Sequence, residues 1–122
     1  MGAFADLSSL DLQRIWDGVH SRVVHGERIT LGLIELDSDS VVPEHSHENE
    51  QLGICLSGSL VFRVGNERRE LAPGGTWSIP ANVPHEVHVG PDGAVVIDVF
   101  VPPREDWREA PIVEPRALRW PR

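Results

Sequence analysis

Three histidines and one glutamine have the residue types and the spacing of a metal site. His45 and His47 are separated by one residue, Gln51 follows four positions later, and His85 lies further along the chain. Residues two apart in a strand point to the same face, so His45, His47 and Gln51 share one face if the strand continues. Three imidazoles and an amide oxygen suit a borderline divalent ion that keeps a position open for substrate or water. An isolated H-x-H pair has many chance matches, and most strand histidines are surface or core residues.

An aspartate lies within an apolar run that is predicted to form a buried strand. Asp98 interrupts the run 95–101 and shares one face of that strand with Phe100. Burying a carboxylate without a partner is unfavourable. Two explanations stay open: a structural ion pair with Arg104 or Arg63, or a general acid/base beside the metal whose pKa is set by burial.

The elements that must position these residues are predicted to be strands. From residue 22 onward, short runs of branched apolar residues alternate with turns such as 37–40, 65–66 and 73–75. Many short strands with regular turns are typical of an all-β sandwich or barrel. The stretch 7–19 instead has helix-like spacing and ends at Gly18, which predicts a short N-terminal helix or arm.

Bulk composition narrows the function classes. The 122 residues fit one domain, and the net charge of −8 makes nucleic acid an unfavourable partner. A small anionic substrate stays compatible, since a buried dication and a few arginines reverse the potential locally. Cys55 is the single cysteine, so no intramolecular disulfide can form. With no signal-like start and no apolar stretch of roughly 20 residues, we expect a cytoplasmic protein without a membrane partner.

Two motifs in the chain resemble those of the cupin superfamily. The first motif has a glycine, H-x-H, an acidic residue three or four positions on, and a second glycine. Here it is His45-Ser-His47-Glu-Asn-Glu-Gln51 followed by Gly58, with Asp39 at the leading glycine position and Gln51 in place of the acidic ligand. The second motif is Gly-Gly-Thr-Trp-Ser-Ile-Pro-Ala-Asn-Val-Pro-His over 74–85, with Asn82 at its later glycine.

This resemblance implies a fold and an assembly. The fold is all-β, a double-stranded β-helix (the cupin or jelly-roll barrel) with a short N-terminal helix or arm. One cupin domain would cover 1–122, divided into an arm 1–21, a barrel 22–101 and a Pro-rich C-terminal tail 102–122. Small cupins tend to pair, so we expect a homodimer that covers edge strands carrying Leu52, Ile54 and Leu56.

The ligand set and the D-x-F-x-P-x-R stretch 98–104 together resemble the KdgF group of cupins. That group is linked to pectin and alginate breakdown, and its enzyme converts ring-form 4,5-unsaturated monouronates to the linear keto form. The resemblance implies a divalent ion (Ni, Zn, Fe, Mn or Cu) held by His45, His47, Gln51 and His85. It implies that Asp98 is catalytic, that Arg104 is catalytic and holds the substrate carboxylate, and that Phe100 forms an apolar wall of the substrate site.

The glutamine at position 51 bears on the choice between functions. Glutamine in place of glutamate removes a negative charge from the ligand set, which favours Lewis-acid chemistry over redox chemistry. Glu50 is an alternative acidic ligand, but strand alternation places it on the opposite face from His47. Two other functions stay open: a cupin dioxygenase of a diketone or phenolic substrate, and a non-enzymatic module that binds a small acid through the metal.

Overall fold

The computed structural model describes residues 2–121, and antiparallel strands make up most of them. A 3-10 helix at Leu7–Ser9 precedes the strands and a second one at Glu105–Glu109 follows them. The strands in chain order are β1 (Gln13–Trp16), β2 (Val19–His25), β3 (Thr30–Leu36), β4 (Val41–His45), β5 (Glu50–Val64), β6 (Glu67–Leu71), β7 (Thr76–Ile79) and β8 (His85–Val101).

The eight strands form one hydrogen-bonded network, which folds into a longer sheet with β1, β2, β3 and β7 and a shorter sheet with β4 and β6. The two longest strands, β5 and β8, belong to both sheets. Residues 50–58 of β5 pair with 94–101 of β8, whereas 60–64 of β5 pair with 85–89 of β8. The first pairing is extended by β3, β2 and β1 on one side and by β7 on the other. The second is extended by β4 and β6. Apolar side chains from both sheets join one buried cluster, so the sheets face each other across a shared core.

β5 passes from one sheet to the other through a bend at Gly58. The pairing with β8 shifts register between Cys55 and Ser57 and again between Gly58 and Leu60. Gly58 has φ of 78°, and a Cβ at this position would overlap the carbonyl oxygen of Gly93. A glycine is therefore required by both the left-handed conformation and the close approach of the two backbones.

The N-terminal helix expected over 7–19 is largely wrong. Only Leu7–Ser9 forms one 3-10 turn, and Gly18, with φ of 76°, lies in the turn between β1 and β2. Gln13 is buried on β1, and its Nε2 donates to the carbonyls of Trp107 and Ala110, both at 3.0 Å. Strand pairing and these long-range contacts override the local helix-like spacing. The sheet thus begins before residue 22, the expected start of the barrel.

The expectation that Leu52, Ile54 and Leu56 lie on an edge strand is also wrong. Their strand, β5, lies between β8 on one side and β6 and β7 on the other. Alternation predicts which side chains point outward, and Leu52 is indeed 52% exposed. It does not indicate which strands become neighbours, because strand order depends on contacts distant in sequence.

The outer face of β3 carries a buried carboxylate that holds the C-terminal segment, a group that we term the Glu35 cluster (Glu35, Arg22, Arg116 and Arg119). Glu35 Oε2 accepts from Arg22 Nη1 at 2.6 Å and from the backbone N–H of Arg119 at 3.4 Å. Glu35 Oε1 lies 3.5 Å from Arg116 Nη2 and 3.7 Å from Arg119 Nε. Arg22 Nη2 also donates to the Arg116 carbonyl at 2.9 Å. The C-terminal segment is therefore fastened to the sheet by charge.

The described residues contain no helix that is both long enough and apolar enough to cross a lipid bilayer.

Candidate metal centre

The four predicted ligands come from three strands and one loop that meet at one end of the core. His45 is the last residue of β4, and His47 follows in the loop before β5. Gln51 is the second residue of β5, and His85 is the first residue of β8. In the ladder between β4 and β8, His45 and His85 are direct partners. Strand pairing thus brings together side chains that are up to 40 positions apart in the sequence.

The structure brings all four of these side chains into contact distance. Ligand atoms of His45, His47 and His85 all lie within 4.8 Å of one another. Gln51 Oε1 lies 3.1 Å from His47 Nε2. Gln51 and His85 are buried, while Glu50 is exposed. These positions give a compact group of three imidazoles and one amide oxygen.

Each of the three imidazoles is held through its Nδ1 by a backbone carbonyl close in sequence. The pairs are His45 with Pro43 at 2.8 Å, His47 with Asn49 at 2.9 Å and His85 with Val83 at 2.9 Å. A carbonyl only accepts, so Nδ1 carries the proton in the neutral ring and Nε2 keeps its lone pair. The Nε2 of His85 is buried and has no hydrogen-bond partner among the described residues. The lone pairs are thus available to a metal ion.

The contact between His47 and Gln51 tests whether these residues fit a cation. Gln51 Nε2 donates to Asp98 Oδ1 at 2.9 Å, so the amide oxygen is the atom that faces His47 Nε2. Two acceptors at 3.1 Å repel each other, and a bound cation removes that repulsion. The arrangement fits a divalent ion with nitrogen and oxygen ligands.

Burial keeps the imidazoles in the form that a metal requires. It lowers the pKa of His45 and His47, and it lowers the pKa of His85 to about 4. The positive charge of Arg104 lowers all three pKa values further, while the carbonyl hydrogen bonds act in the opposite direction. The rings are therefore neutral near pH 7, as metal ligands must be.

Asp98 lies beside this group on β8 and is 5% exposed. Its Oδ1 accepts from Gln51 Nε2 at 2.9 Å and from Trp77 Nε1 at 2.7 Å. Burial raises the pKa of Asp98 to about 6, against the effect of these two hydrogen bonds and of Arg104, which lower it. The carboxylate is thus held by neutral donors at the edge of the metal centre.

The structural ion pair that was one explanation for Asp98 is not formed. Among the described residues, Arg104 pairs with Asp106 at 2.9 Å and Arg63 pairs with Glu44 at 2.8 Å. Neither arginine lies within ion-pair distance of Asp98. The two arginines are held elsewhere because their strands and turns direct them to nearer carboxylates.

Arg104 and Phe100 line the same cavity as Gln51 and Asp98. The guanidinium carbon of Arg104 lies 4.8 Å from the Phe100 ring centre and 4.4 Å from that of Trp107. Its Nε and Nη2 donate to the Asp106 carboxylate at 3.0 and 2.9 Å, whereas Nη1 donates to no acceptor within the described part of the chain. Arg104 is therefore fixed in place with one nitrogen left for an anion.

Three further residues at the site were not anticipated. Trp16, on β1, lines the cavity with its ring centre 5.4 Å from that of His45. Asn49 donates to the carbonyl of Pro102 at 2.6 Å and so fixes the loop that carries His47. Trp77 donates to Asp98. The sequence could have indicated Asn49 and Trp77, because they lie inside the two cupin-like motifs. No sequence pattern places Trp16 at the cavity.

The chain is similar in sequence to a known protein family and to a curated bacterial protein. The family model described as Cupin domain matches residues 32–100, more than half of the chain. Among curated proteins, the uncharacterized protein SCO3923 of Streptomyces coelicolor is 28% identical over 87 residues. The aligned region covers 71% of this chain and 83% of that protein.

Solved structures show the same fold. KdgF from a Halomonas species superposes with a TM-score of 0.79 at 26% identity, covering 87% of this chain and 98% of that one. An RmlC-like cupin from Shewanella frigidimarina has a TM-score of 0.80 at 22% identity, covering 87% and 96% of the two chains. The predicted all-β double-stranded β-helix is thus confirmed.

Proposed function

This chain belongs to the cupin family, and on that premise we propose that it is a metal-dependent isomerase that converts 4,5-unsaturated monouronates to their linear keto form. Such uronates are products of pectin and alginate breakdown. The observation that carries the proposal is the buried carboxylate of Asp98 in the same cavity as Arg104 and the histidine–glutamine group. The likeness of the ligand set and of residues 98–104 to the KdgF group supports the choice of substrate.

The proposed cofactor is one divalent ion, such as Ni, Zn, Fe or Mn, held by His45, His47, Gln51 and His85. When bound, it supplies a Lewis acid for the substrate carboxylate or ring oxygen. The chain's contribution is to hold three neutral imidazoles and one amide oxygen ready, each fixed by a hydrogen bond at its other end.

The residues beside the ligands have separate tasks in this proposal. Asp98 moves the proton as the enol becomes a ketone, and a pKa of about 6 lets the carboxyl group both release and take up a proton near neutral pH. Arg104 holds the substrate carboxylate through Nη1, because its Nε and Nη2 already donate to Asp106. Phe100, 1% exposed and under the guanidinium group, forms the apolar wall against which Arg104 is held in position.

Anaerobic NMR of unsaturated galacturonate tests the reaction directly. We expect the metal-loaded protein to produce the linear keto form faster than the uncatalysed background, and the chelator-treated protein to lose this activity. Turnover without oxygen would exclude the dioxygenase alternative. No acceleration by the metal-loaded protein would refute the uronate assignment.

The same samples separate the two alternative functions. A dioxygenase would consume oxygen with a diketone or phenolic substrate and would require Fe(II). A non-enzymatic module would bind a small acid saturably and return it unchanged. An amide ligand at Gln51 disfavours the dioxygenase function, since a carboxylate ligand better supports higher oxidation states of iron.

We also propose that two copies of the chain form a homodimer through the outer face of the longer sheet. Val24, Leu31 and Leu52 are 49%, 46% and 52% exposed. Val24 is the ladder partner of Leu31, and Leu31 and Leu52 are both partners of Val99, so the four form one row across neighbouring strands. A second copy would cover this apolar row.

Light scattering after size-exclusion chromatography measures the molar mass and therefore the oligomeric state. The unsubstituted protein should have twice the mass of the chain, and Leu52→Lys should have the mass of one chain, because a charge in the row cannot be buried unpaired. A dimer that survives Leu52→Lys would place the interface elsewhere.

The remaining proposals concern partners and location. The substrate is a small anionic molecule that Arg104 and the metal ion attract, while the net charge of −8 disfavours nucleic acid and anionic membranes. We expect the protein to act in the cytoplasm.

A further inference from the structure

Trp77 reaches from β7 across β5 to a carboxylate on β8. In the ladders, Gly53 of β5 is the partner of both Trp77 and Asp98. Trp77 Nε1 donates to Asp98 Oδ1 at 2.7 Å over the space that a side chain at position 53 would occupy. A Cβ on Gly53 would overlap both the indole and the carboxylate. The contact between Trp77 and Asp98 therefore depends on a glycine between them.

The indole fixes the direction of the neighbouring hydrogen bond. An indole N–H can only donate, so Asp98 Oδ1 is an acceptor. Gln51 Nε2 approaches the same oxygen at 2.9 Å, and two donors therefore converge on one carboxylate atom. The amide oxygen of Gln51 is consequently the atom that points to the histidines, 3.1 Å from His47 Nε2.

The opposite orientation of the amide would disable the fourth ligand. An amide NH2 group has no lone pair to offer a metal ion, and it would place two hydrogens against the histidine nitrogens. Only the partner of the amide distinguishes the two orientations, because both ends of the group have nearly the same size. The partner here is a carboxylate that Trp77 holds in its accepting form.

We propose that Trp77 is a positioning residue that keeps the Gln51 oxygen directed at the metal, acting through Asp98. Gly53 supplies the space through which it acts. This inference rests on the metal-binding part of the proposed function and is independent of the uronate reaction.

Trp77→Phe tests the inference because it keeps a buried ring against Phe62, 4.9 Å away, and removes the N–H. The affinity for Co(II) is measured by competition with a chromophoric chelator, and the visible spectrum of bound Co(II) reports its ligands. We expect the affinity to fall by about 10- to 100-fold, the range for loss of a partner outside the ligand shell, and the spectrum to change.

Trp107→Phe is the matched control. Trp107 is also a buried tryptophan, 6% exposed, but its ring contacts Phe100 and Arg104 rather than Asp98. We expect this variant to bind Co(II) with unchanged affinity and spectrum. An equal loss in both variants would mean that any change of a buried ring disturbs the centre, which would overturn the inference.

A double-mutant cycle with Gln51→Ala tests the route. If Trp77 acts through the amide of Gln51, Trp77→Phe should cause no further loss of Co(II) affinity once Gln51 is removed. Additive losses, or a single Trp77→Phe variant that binds Co(II) like the unsubstituted protein, would overturn the inference alone. Failure of the unsubstituted protein to bind Co(II) would overturn the metal centre and the inference together.

One measurement does not depend on a variant that folds. In the unsubstituted protein, the indole proton of Trp77 should exchange slowly with D2O, and its NMR signal should shift on addition of Zn(II). Both follow from the hydrogen bond to Asp98, which is itself bonded to a metal ligand. An indole signal that exchanges freely or ignores Zn(II) would overturn the inference.

Discussion

Asp98 and Glu35 are both buried carboxylates on neighbouring strands, yet their partners are of opposite kinds. Glu35, on the outer face of β3, is fully buried among the three arginines of the Glu35 cluster. Asp98, on the inner face of β8, accepts from the neutral groups of Gln51 and Trp77. Asp98 and Glu35 are therefore both buried, yet they lie in different electrostatic environments.

The partner of a buried carboxylate, rather than its burial, distinguishes a structural from a chemical role. Arginine cannot release its proton, so the carboxylate of Glu35 is surrounded by permanent positive charges that fasten it in place. Neutral donors stabilise the charge less than burial disfavours it, and the pKa of Asp98 rises to about 6. Such a group can exchange protons near neutral pH, and it lies beside the candidate metal centre.

Asp98→Asn should have the largest effect, and it should act on catalysis alone. We expect turnover of unsaturated galacturonate to fall by about 100- to 10,000-fold, the contribution of a general acid/base. Metal content should be unchanged, because the asparagine oxygen still accepts from Trp77 and Gln51. Turnover is measured by NMR and metal content by elemental analysis.

The thermal stability of Asp98→Asn provides the control. The substitution replaces a buried charge by a neutral group of the same shape, so the melting temperature at pH 7 should not fall. Retained turnover in this variant would remove Asp98 from the mechanism, and a large loss of stability would assign it a structural role like that of Glu35.

Glu35→Gln should show the reverse pattern, a loss of stability without a loss of function. Removing this charge leaves Arg22, 3% exposed, buried without its counter-ion. The free energy of unfolding should fall by about 3 to 5 kcal/mol, as for other broken buried ion pairs. Urea denaturation measures the loss, and Co(II) affinity of the folded variant should match that of the unsubstituted protein. Weakened Co(II) binding would show that the two regions are coupled.

Arg119→Ala should have the smallest effect, since it tests the periphery of the Glu35 cluster. The Arg119 side chain is 32% exposed, and its 2.6 Å contact is with Asp37, which is 43% exposed. Solvent screening limits such pairs to about 1 kcal/mol or less. The 3.7 Å contact of Arg119 with Glu35 is longer than that of Arg22, and Glu35 keeps Arg22 and Arg116 as partners in this variant. Urea denaturation checks this value. A loss as large as that of Glu35→Gln would show that the C-terminal segment is held by charge throughout its length.

The sequence was sufficient to predict that His45, His47, Gln51 and His85 lie close together, and their role as metal ligands stays a prediction. Strand alternation predicts a shared face for His45, His47 and Gln51, although β4 ends at His45 and β5 begins only at Glu50, and the second motif supplies His85. The burial of Asp98 could be predicted from the apolar run around it. These features are local, since each depends on a period of two or on a short motif.

The partners of Asp98 could not be predicted, because they depend on strand order. Trp77 and Gln51 reach Asp98 only because β5 lies between β7 and β8. The nearest candidates by chemistry, Arg104 and Arg63, are engaged by other carboxylates. The sequence shows which residues are charged, but it does not show which of them lie next to each other in the folded chain.

Local spacing was misleading where tertiary pairing decides the structure. The stretch 7–19 has helix-like spacing, yet most of it forms β1 and the approach to β2. Gln13 and Leu12 are buried there against the C-terminal segment, at 7% and 3% exposure. Strands already begin at Gln13, within the expected arm 1–21, while the single domain 1–122 with a barrel to residue 101 and a tail over 102–122 stays a prediction.

The sharing of β5 and β8 between both sheets has a consequence for how the molecule opens. A strand that is paired on both sides in two sheets cannot separate from one without disturbing the other, so its amide hydrogens should exchange only when the whole domain unfolds. Gln51, Gly53 and Asp98 lie on these strands, whereas His47 lies in a loop that Asn49 holds to the carbonyl of Pro102. The residues of the candidate centre that lie on β5 and β8 should therefore stay in place in any opening short of global unfolding.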